Sequence, residues 1–169
     1  MKTEFDIRGL EGVLDTLQRL PAEVASKNGG IVRRALRKGA MVLVDQSRAN
    51  FKRAVEQPGQ TGITDSTGFT EKQIVAKRRR PPGGIKGEKF VVTVNYVVHP
   101  SGNKFRKRPI RANDIAFILE AGSSQQPATP WLRPAFDAKA QEAIDTASAE
   151  LVRGVDRAVR KLAQQNKGR

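Results

Sequence analysis

The chain has 169 residues, no cysteine and a formal net charge of +14 at pH 7. This length suits one domain with its own core, and the lack of cysteine excludes disulfides, thiolate metal sites and cysteine nucleophiles. No apolar run is long enough for a membrane span or a secretory signal, so we expect no membrane partner. The strongly basic balance predicts a polyanionic partner, or acidic protein neighbours in an assembly.

The N-terminal third of the sequence is predicted to be mainly helical. Residues 4–8 alternate apolar and charged side chains, as a short strand does, and an amphipathic helix is predicted at about 9–20. A second, long helix is predicted at about 22–53, because apolar residues keep helical spacing there in a wide stripe. The Asn-Gly-Gly run at 28–30 weakens this helix, so the helix either kinks or begins there.

The middle of the chain predicts an antiparallel hairpin. Residues 57–68 are rich in turn formers and are predicted to be a loop. A strand centred on 74–76 is predicted to end at the run RRRPPGG, because proline cannot donate to a strand ladder. The clearest strand is predicted at 90–98, with one face formed by Phe90, Val92, Val94, Tyr96 and Val98. We expect mobile basic loops near 78–89 and 100–111.

The C-terminal half predicts two further elements. In NDIAFILEAG, Asn113 or Asp114 is a candidate helix cap and Gly122 a candidate helix end, although a strand is the competing interpretation. From Leu132 onward, apolar residues recur every three or four positions, which predicts a long helix with a frayed tail. The predicted fold is a single α+β domain over 1–169, with two N-terminal helices, a small antiparallel sheet with a long basic hairpin, and a long C-terminal helix.

The sequence offers little for catalysis. His99 is the only histidine and adjoins Pro100 at a predicted strand end, where a surface histidine is far commoner than a general base. Lys86 lies among glycines, as the lysine of a phosphate-binding loop does. It is not followed by Ser or Thr, however, and no helix pattern begins there, so the segment does not match such a loop. Glu120 has no second carboxylate nearby in the pattern, which favours a structural ion pair over acid–base chemistry. We therefore predict a protein that is not an enzyme, without catalytic residues, cofactor or metal.

Basic residues concentrate in the predicted hairpin and in the loop that follows it. The candidates for contact with a partner are Arg78, Arg79, Arg80, Lys104, Arg106, Lys107 and Arg108. Such a cluster would attract phosphates, which gives nucleic-acid binding through the hairpin as one functional class. The competing interpretation is that these basic side chains are only solvated or paired with acidic neighbours. It is slightly favoured over nucleic-acid binding, because aromatic side chains that could stack on bases are nearly absent.

The stretch QQPATPWLRPAFDAKAQEAI places the only tryptophan among three prolines, directly before the long helical pattern. Proline favours extended geometry, and Pro134 is tolerated in the first turn of a helix. Trp131 and Phe136 are expected to fix the start of that helix onto the sheet. Trp131 either belongs to the core or faces a partner subunit.

The segment FILEAGSSQQPATPWLRPAFD resembles the signature of the tail-completion, or head–tail joining, proteins of tailed bacteriophages. In that family an aromatic-rich run ends in Glu-x-Gly, and after a polar loop the last helix starts with Pro-aromatic-Leu-Arg-Pro-Ala. The matching residues here are Glu120, Gly122, Pro130, Trp131, Leu132, Arg133, Pro134 and Ala135. IRGLEGVLDTLQRLPAEV resembles the family's opening helix, so the resemblance covers nearly the whole chain. The family's Pro-x-x-Thr-Gly loop is ambiguous here, since both Thr61-Gly62 and Thr67-Gly68 are present.

This resemblance implies a non-enzymatic virion protein in the neck, between the portal and the tail tube. We expect a homo-oligomeric ring, a hexamer rather than a dodecamer. The implied partners are the portal-side connector and the tail tube or terminator proteins, with double-stranded DNA passing through the ring as a further candidate. Assembly would take place in the cytoplasm of the host bacterium.

Overall fold

The computed structural model describes residues 30–56, 68–81, 83, 87–98 and 111–167 of the chain. In chain order its elements are helix α1 (Gly30–Val55), helix α2 (Phe69–Lys72), strand β1 (Ile74–Arg79), strand β2 (Lys89–Val94), helix α3 (Ala112–Ala121) and helix α4 (Leu132–Lys167). This architecture confirms the predicted α+β class, with a long C-terminal helix and a small antiparallel sheet.

Several predicted features lie outside the described residues. They are the strand at 4–8, the helix at 9–20, the start of the long helix at 22–29, the loop at 57–67, and the basic loop with Lys104, Arg106, Lys107 and Arg108. These features stay predictions.

The two long helices pack along each other in opposite directions. Near the C-terminal end of α1, Phe51 contacts Trp131, just before α4 begins, whereas Ile31 at the other end lies against Gly154. Gly39 permits a close approach between these points, because a Cβ there would be 2.5 Å from a backbone carbonyl oxygen of α4. Buried small and apolar residues line the facing sides of both helices, as their helical spacing predicts.

Strands β1 and β2 form the predicted antiparallel hairpin, with Ile74 opposite Val94. β1 continues through Arg79, further than predicted, because its arginines pair with β2 residues before the prolines end the strand. β2 ends at Val94 and not at the predicted residue 98, because β1 begins at Ile74 and offers no partner beyond it; Val98 forms only an isolated bridge with Arg111. Tyr96 and Val98 therefore lie outside the strand and are exposed, and the prediction that they belong to it was wrong.

The hairpin packs against α1 and follows it toward its N-terminal end. Arg48 donates to the carbonyl oxygen of Ile74 from Nε at 3.2 Å and from Nη2 at 2.9 Å, which ties the start of β1 to the middle of α1. At the far end of the hairpin, Glu88 meets Arg33 near the start of α1. The core cluster comprises Leu43, Val44, Phe51, Ala54, Ile74, Val92, Ile115, Ala116, Leu119, Trp131 and Ala143.

Segment 112–121 is a helix, which decides against the strand interpretation. The predicted caps Asn113 and Asp114 were wrong: the cap position is Arg111, and its side chain makes no capping hydrogen bond. The first turn is anchored through the backbone instead, because the N–H of Ala112 donates to a carbonyl of the preceding segment at 2.9 Å. Gly122 ends the helix as predicted, with φ of 76°, a conformation that favours glycine.

Candidate functional site: a helix joint and a basic end

The residues on which the family resemblance rests lie close together in a region that we call the helix joint: Glu120, the turn over 122–130, and residues 131–134. Its central contact is between the Glu120 carboxylate and the start of α4. Oε2 accepts the backbone N–H groups of Trp131 and Leu132, each at 2.8 Å, and Oε1 accepts that of Arg133 at 3.3 Å. A side chain of α3 therefore caps the N-terminus of α4.

This cap accounts for every free donor at the start of α4. The first four N–H groups of a helix have no intrahelical acceptor. Glu120 accepts three of them, and the fourth position is Pro134, which has no N–H. A carboxylate is also stabilised near a helix N-terminus by the helix dipole. The role of Glu120 is thus structural, but through backbone capping and not through the ion pair that the sequence suggested.

The turn between α3 and α4 is closed by backbone hydrogen bonds. The N–H of Ser123 donates to Gln126 at 2.8 Å, and that of Thr129 donates to Leu119 at 2.7 Å. A Cβ on Gly122 would lie 2.8 Å from the backbone nitrogen of Ala128, so the turn requires glycine for space as well as for its positive φ. The joint therefore fixes the direction in which α4 leaves α3.

Trp131 belongs to the chain's own core, the first of the two interpretations, but it fixes the start of α4 onto α1 and α3 and not onto the sheet, as the sequence had suggested. Its side chain is 3% exposed, its Nε1 donates to the carbonyl oxygen of Ala116 at 3.0 Å, and its ring meets Phe51 edge to face, with 5.2 Å between centroids. Asn50 of α1 donates to the Trp131 carbonyl at 3.1 Å. Leu132 is half-buried against the core. The exposed residues of the signature are Pro130, Arg133 and Pro134.

A second candidate site lies at the start of α1, which contacts the end of the hairpin on one side and the C-terminal half of α4 on another. We call it the basic end. Its basic residues are Arg33, Arg34, Arg37 and Lys38 of α1, Arg78, Arg79, Arg80 and Lys89 of the hairpin, and Arg153, Arg157, Arg160 and Lys161 of α4. Among the residues that the structure describes there, Glu88, Glu150 and Asp156 are the acidic ones.

Glu88 links the hairpin to α1. Arg78 donates to it from Nε at 2.5 Å and from Nη2 at 2.7 Å, and Arg33 lies 3.4 Å away. The hydrogen bond from Arg78 holds the pKa of the Glu88 carboxyl below its usual value, against the opposing effect of burial. Arg78 is therefore occupied within the chain, whereas Arg79 and Arg80 are exposed, with no carboxylate partner in the described segments.

Glu150 makes the corresponding link between α1 and α4. It accepts Lys38 Nζ at 2.8 Å and Arg157 Nη2 at 3.1 Å, while its side chain is only 6% exposed. The hydrogen bond from Lys38, followed by that from Arg157, lowers the pKa of its carboxyl. Glu88 and Glu150 thus each pair with two basic side chains, and the remaining basic residues leave this end with a large positive excess.

Sequence reasoning located only the hairpin part of the basic end. The basic residues of α1 and α4 occupy polar positions of amphipathic helices, which in one dimension are indistinguishable from ordinary solvated faces. They come together because the helices are antiparallel, so residues more than a hundred positions apart become neighbours. Asn50 was missed for the same reason, since its bond to Trp131 joins distant parts of the chain.

Comparisons with family models, with curated protein sequences and with solved structures find no match to this chain. Across the described ranges, no helix is long and apolar enough to cross a membrane, and no group of three or more His, Cys, Asp or Glu side chains is placed to hold a metal ion.

Proposed function

We propose that the chain is a structural protein of a tailed phage or prophage, which forms a ring in the virion neck, completes the tail and joins it to the head. The observation that carries the proposal is the helix joint. The residues that resemble the family signature act together in one device, in which Glu120 caps α4 and Trp131 anchors its start. A shared structural role for these residues, to hold the start of α4, supports the proposal.

A ring requires that each subunit present the same two complementary surfaces in a fixed relation. Helix α4 has 36 residues, which corresponds to a rod of about 54 Å. Because the joint fixes one end of this rod and α1 packs along it, every copy would present α4 identically. Val152 and Val159 lie two turns apart on α4 and are 57% and 49% exposed, which suits an apolar contact with the neighbouring subunit.

In this proposal the ring is a hexamer that lies between the portal-side connector and the tail tube or terminator proteins. The protein acts by docking and not by catalysis. The rigid helix pair would hold the ring together, and the basic loops would reach the adjacent rings. Assembly would occur in the cytoplasm of the bacterial host before the protein becomes part of the virion neck.

A second candidate function is nucleic-acid binding through the central hairpin. It is favoured by the exposure of Arg79 and Arg80 at the end of β1. In that case, replacement of Arg78, Arg79 and Arg80 by alanine should abolish binding of the purified chain to DNA or RNA.

The test of the neck proposal is a loss-of-function experiment in the phage or prophage that encodes the chain. We expect that a stop codon early in the gene leaves DNA-filled heads and finished tails unjoined, as seen by electron microscopy of lysates. Infectivity should return when the wild-type gene is supplied from a plasmid, but not when the plasmid copy carries a frameshift. Joined, infectious particles at the normal yield without the protein would contradict the proposal.

A further inference from the structure

We infer that the basic end binds the phosphate backbone of duplex DNA, and that the helical arginines of α1 and α4 carry this contact, not the hairpin. The inference goes beyond the neck proposal, since it concerns the isolated chain and requires no ring. It starts from the positive excess at this end, where the described residues include three carboxylates and twelve basic side chains.

Apart from Lys89, the basic side chains of this end divide into two groups. The first group links elements of the chain through two carboxylates, the half-buried Glu88 and the buried Glu150; it consists of Arg33, Lys38, Arg78 and Arg157. The second group is exposed and, within the described segments, has no carboxylate partner; on the helices it consists of Arg34, Arg37, Arg153, Arg160 and Lys161. This second group is free to neutralise an external polyanion.

Because these residues lie on helices, the backbone fixes the spacing of the positions from which their side chains extend. Residues 153 to 161 extend along about 12 Å of α4, a distance over which duplex DNA carries roughly seven negative charges. Arg34 lies one turn from Lys38, whose bond to Glu150 places that part of α1 beside this stretch of α4. The basic side chains of both helices can therefore contact the same polyanion, and no loop has to become ordered for this contact.

The charged and apolar surfaces of α4 lie on different sides of the helix. At about 100° per residue, Arg153, Arg160 and Lys161 fall within a sector of about 100°. The centre of that sector is about 140° around the helix from the midpoint between Val152 and Val159. An apolar contact with another subunit and a phosphate contact can therefore coexist on α4.

The chemistry of this end favours duplex DNA over single strands. Proteins that bind single strands stack bases on aromatic side chains. Among the residues that the structure describes, the exposed aromatic rings are Tyr96 and Phe117, which belong to the segment after β2 and to α3 and not to the basic end. Arg111 lies over the Tyr96 ring at 4.1 Å from its centroid. Without stacking partners, backbone phosphates are the group that this end can recognise, and recognition should be independent of sequence.

The test is fluorescence anisotropy of the full chain with a labelled duplex of about 30 base pairs, between about 50 and 200 mM salt. We expect dissociation constants in the micromolar range at low salt and a steep loss of affinity as salt rises. The variant R153A/R160A/K161A should weaken binding at least about tenfold and reduce the slope of log K against log salt by about 3. The control K52A/K72A/R133A removes the same charge at the opposite end and should change affinity less than about twofold.

Circular dichroism checks that both variants stay folded, as their exposed sites predict. The inference is overturned if the chain does not bind duplex DNA at low salt, or if the control loses as much affinity as the test variant. It is equally overturned if R78A/R79A/R80A abolishes binding while R153A/R160A/K161A does not, or if polyglutamate displaces DNA at equal charge, which would indicate an acidic protein partner. None of these results bears on head–tail joining, which is measured in the phage.

Discussion

Replacement of Trp131 by alanine should lower the free energy of unfolding by about 3–5 kcal/mol, the cost of removing a large buried aromatic side chain. The ring is 3% exposed and lies edge to face with Phe51, so truncation leaves a cavity between α1 and the start of α4. It also leaves the Ala116 carbonyl without the donor that the indole supplies at 3.0 Å. Urea denaturation followed by circular dichroism measures the loss, because the variant has no tryptophan left for fluorescence.

The variant W131F separates the ring from its hydrogen bond. It keeps most of the contact with Phe51 but cannot donate to Ala116, so we expect a smaller loss of about 1–3 kcal/mol. A W131A protein with unchanged unfolding that fails to enter particles would contradict the core placement, because that result is expected of an aromatic side chain at a subunit interface.

Replacement of Glu120 by alanine should lower the free energy of unfolding by about 2–3 kcal/mol. The change removes a charged acceptor from three backbone N–H groups at the start of α4. Because this end of α4 also holds Trp131, the first turn should fray and amide hydrogen exchange should quicken at residues 131–133. Exchange measured by NMR and denaturation in urea test both parts of the prediction.

Two further variants serve as controls for Glu120. E120Q keeps one oxygen acceptor but loses the charge, so its destabilisation should fall between those of wild type and E120A. E142A removes an exposed carboxylate that pairs with Lys139 on the surface of α4, and it should change stability by less than about 1 kcal/mol. Equal effects of E120A and E142A would mean that the cap contributes no more than a surface ion pair.

The long helices and the hairpin were predictable because their information is local. In α1 and α4 the apolar residues repeat with the period of a helix, and one packed face is enough to fix such an element. The alternation around Val92 identified β2 in the same way. Gly122 was recognisable as a helix end, since few residues adopt the backbone conformation that it has there.

The features that sequence could not supply depend on contacts between distant residues. The end of β2 is set by where its partner strand begins, which alternation within β2 does not report. The capping role of Glu120 requires that α4 start beside its side chain, and the turn that brings them together is formed by the backbone. The basic end forms because α1 and α4 are antiparallel. Its residues on these two helices are far apart in the sequence, so no local pattern indicated that they are neighbours.

Cryo-electron microscopy of purified, joined particles tests the central claim most directly. The account predicts that the protein is present in the particles and occupies a ring between portal and tail tube, with the long α1–α4 helix pair resolved in each subunit. We expect six copies in that ring. A neck whose density is fully accounted for by other proteins, in particles that lack this chain, would contradict the account.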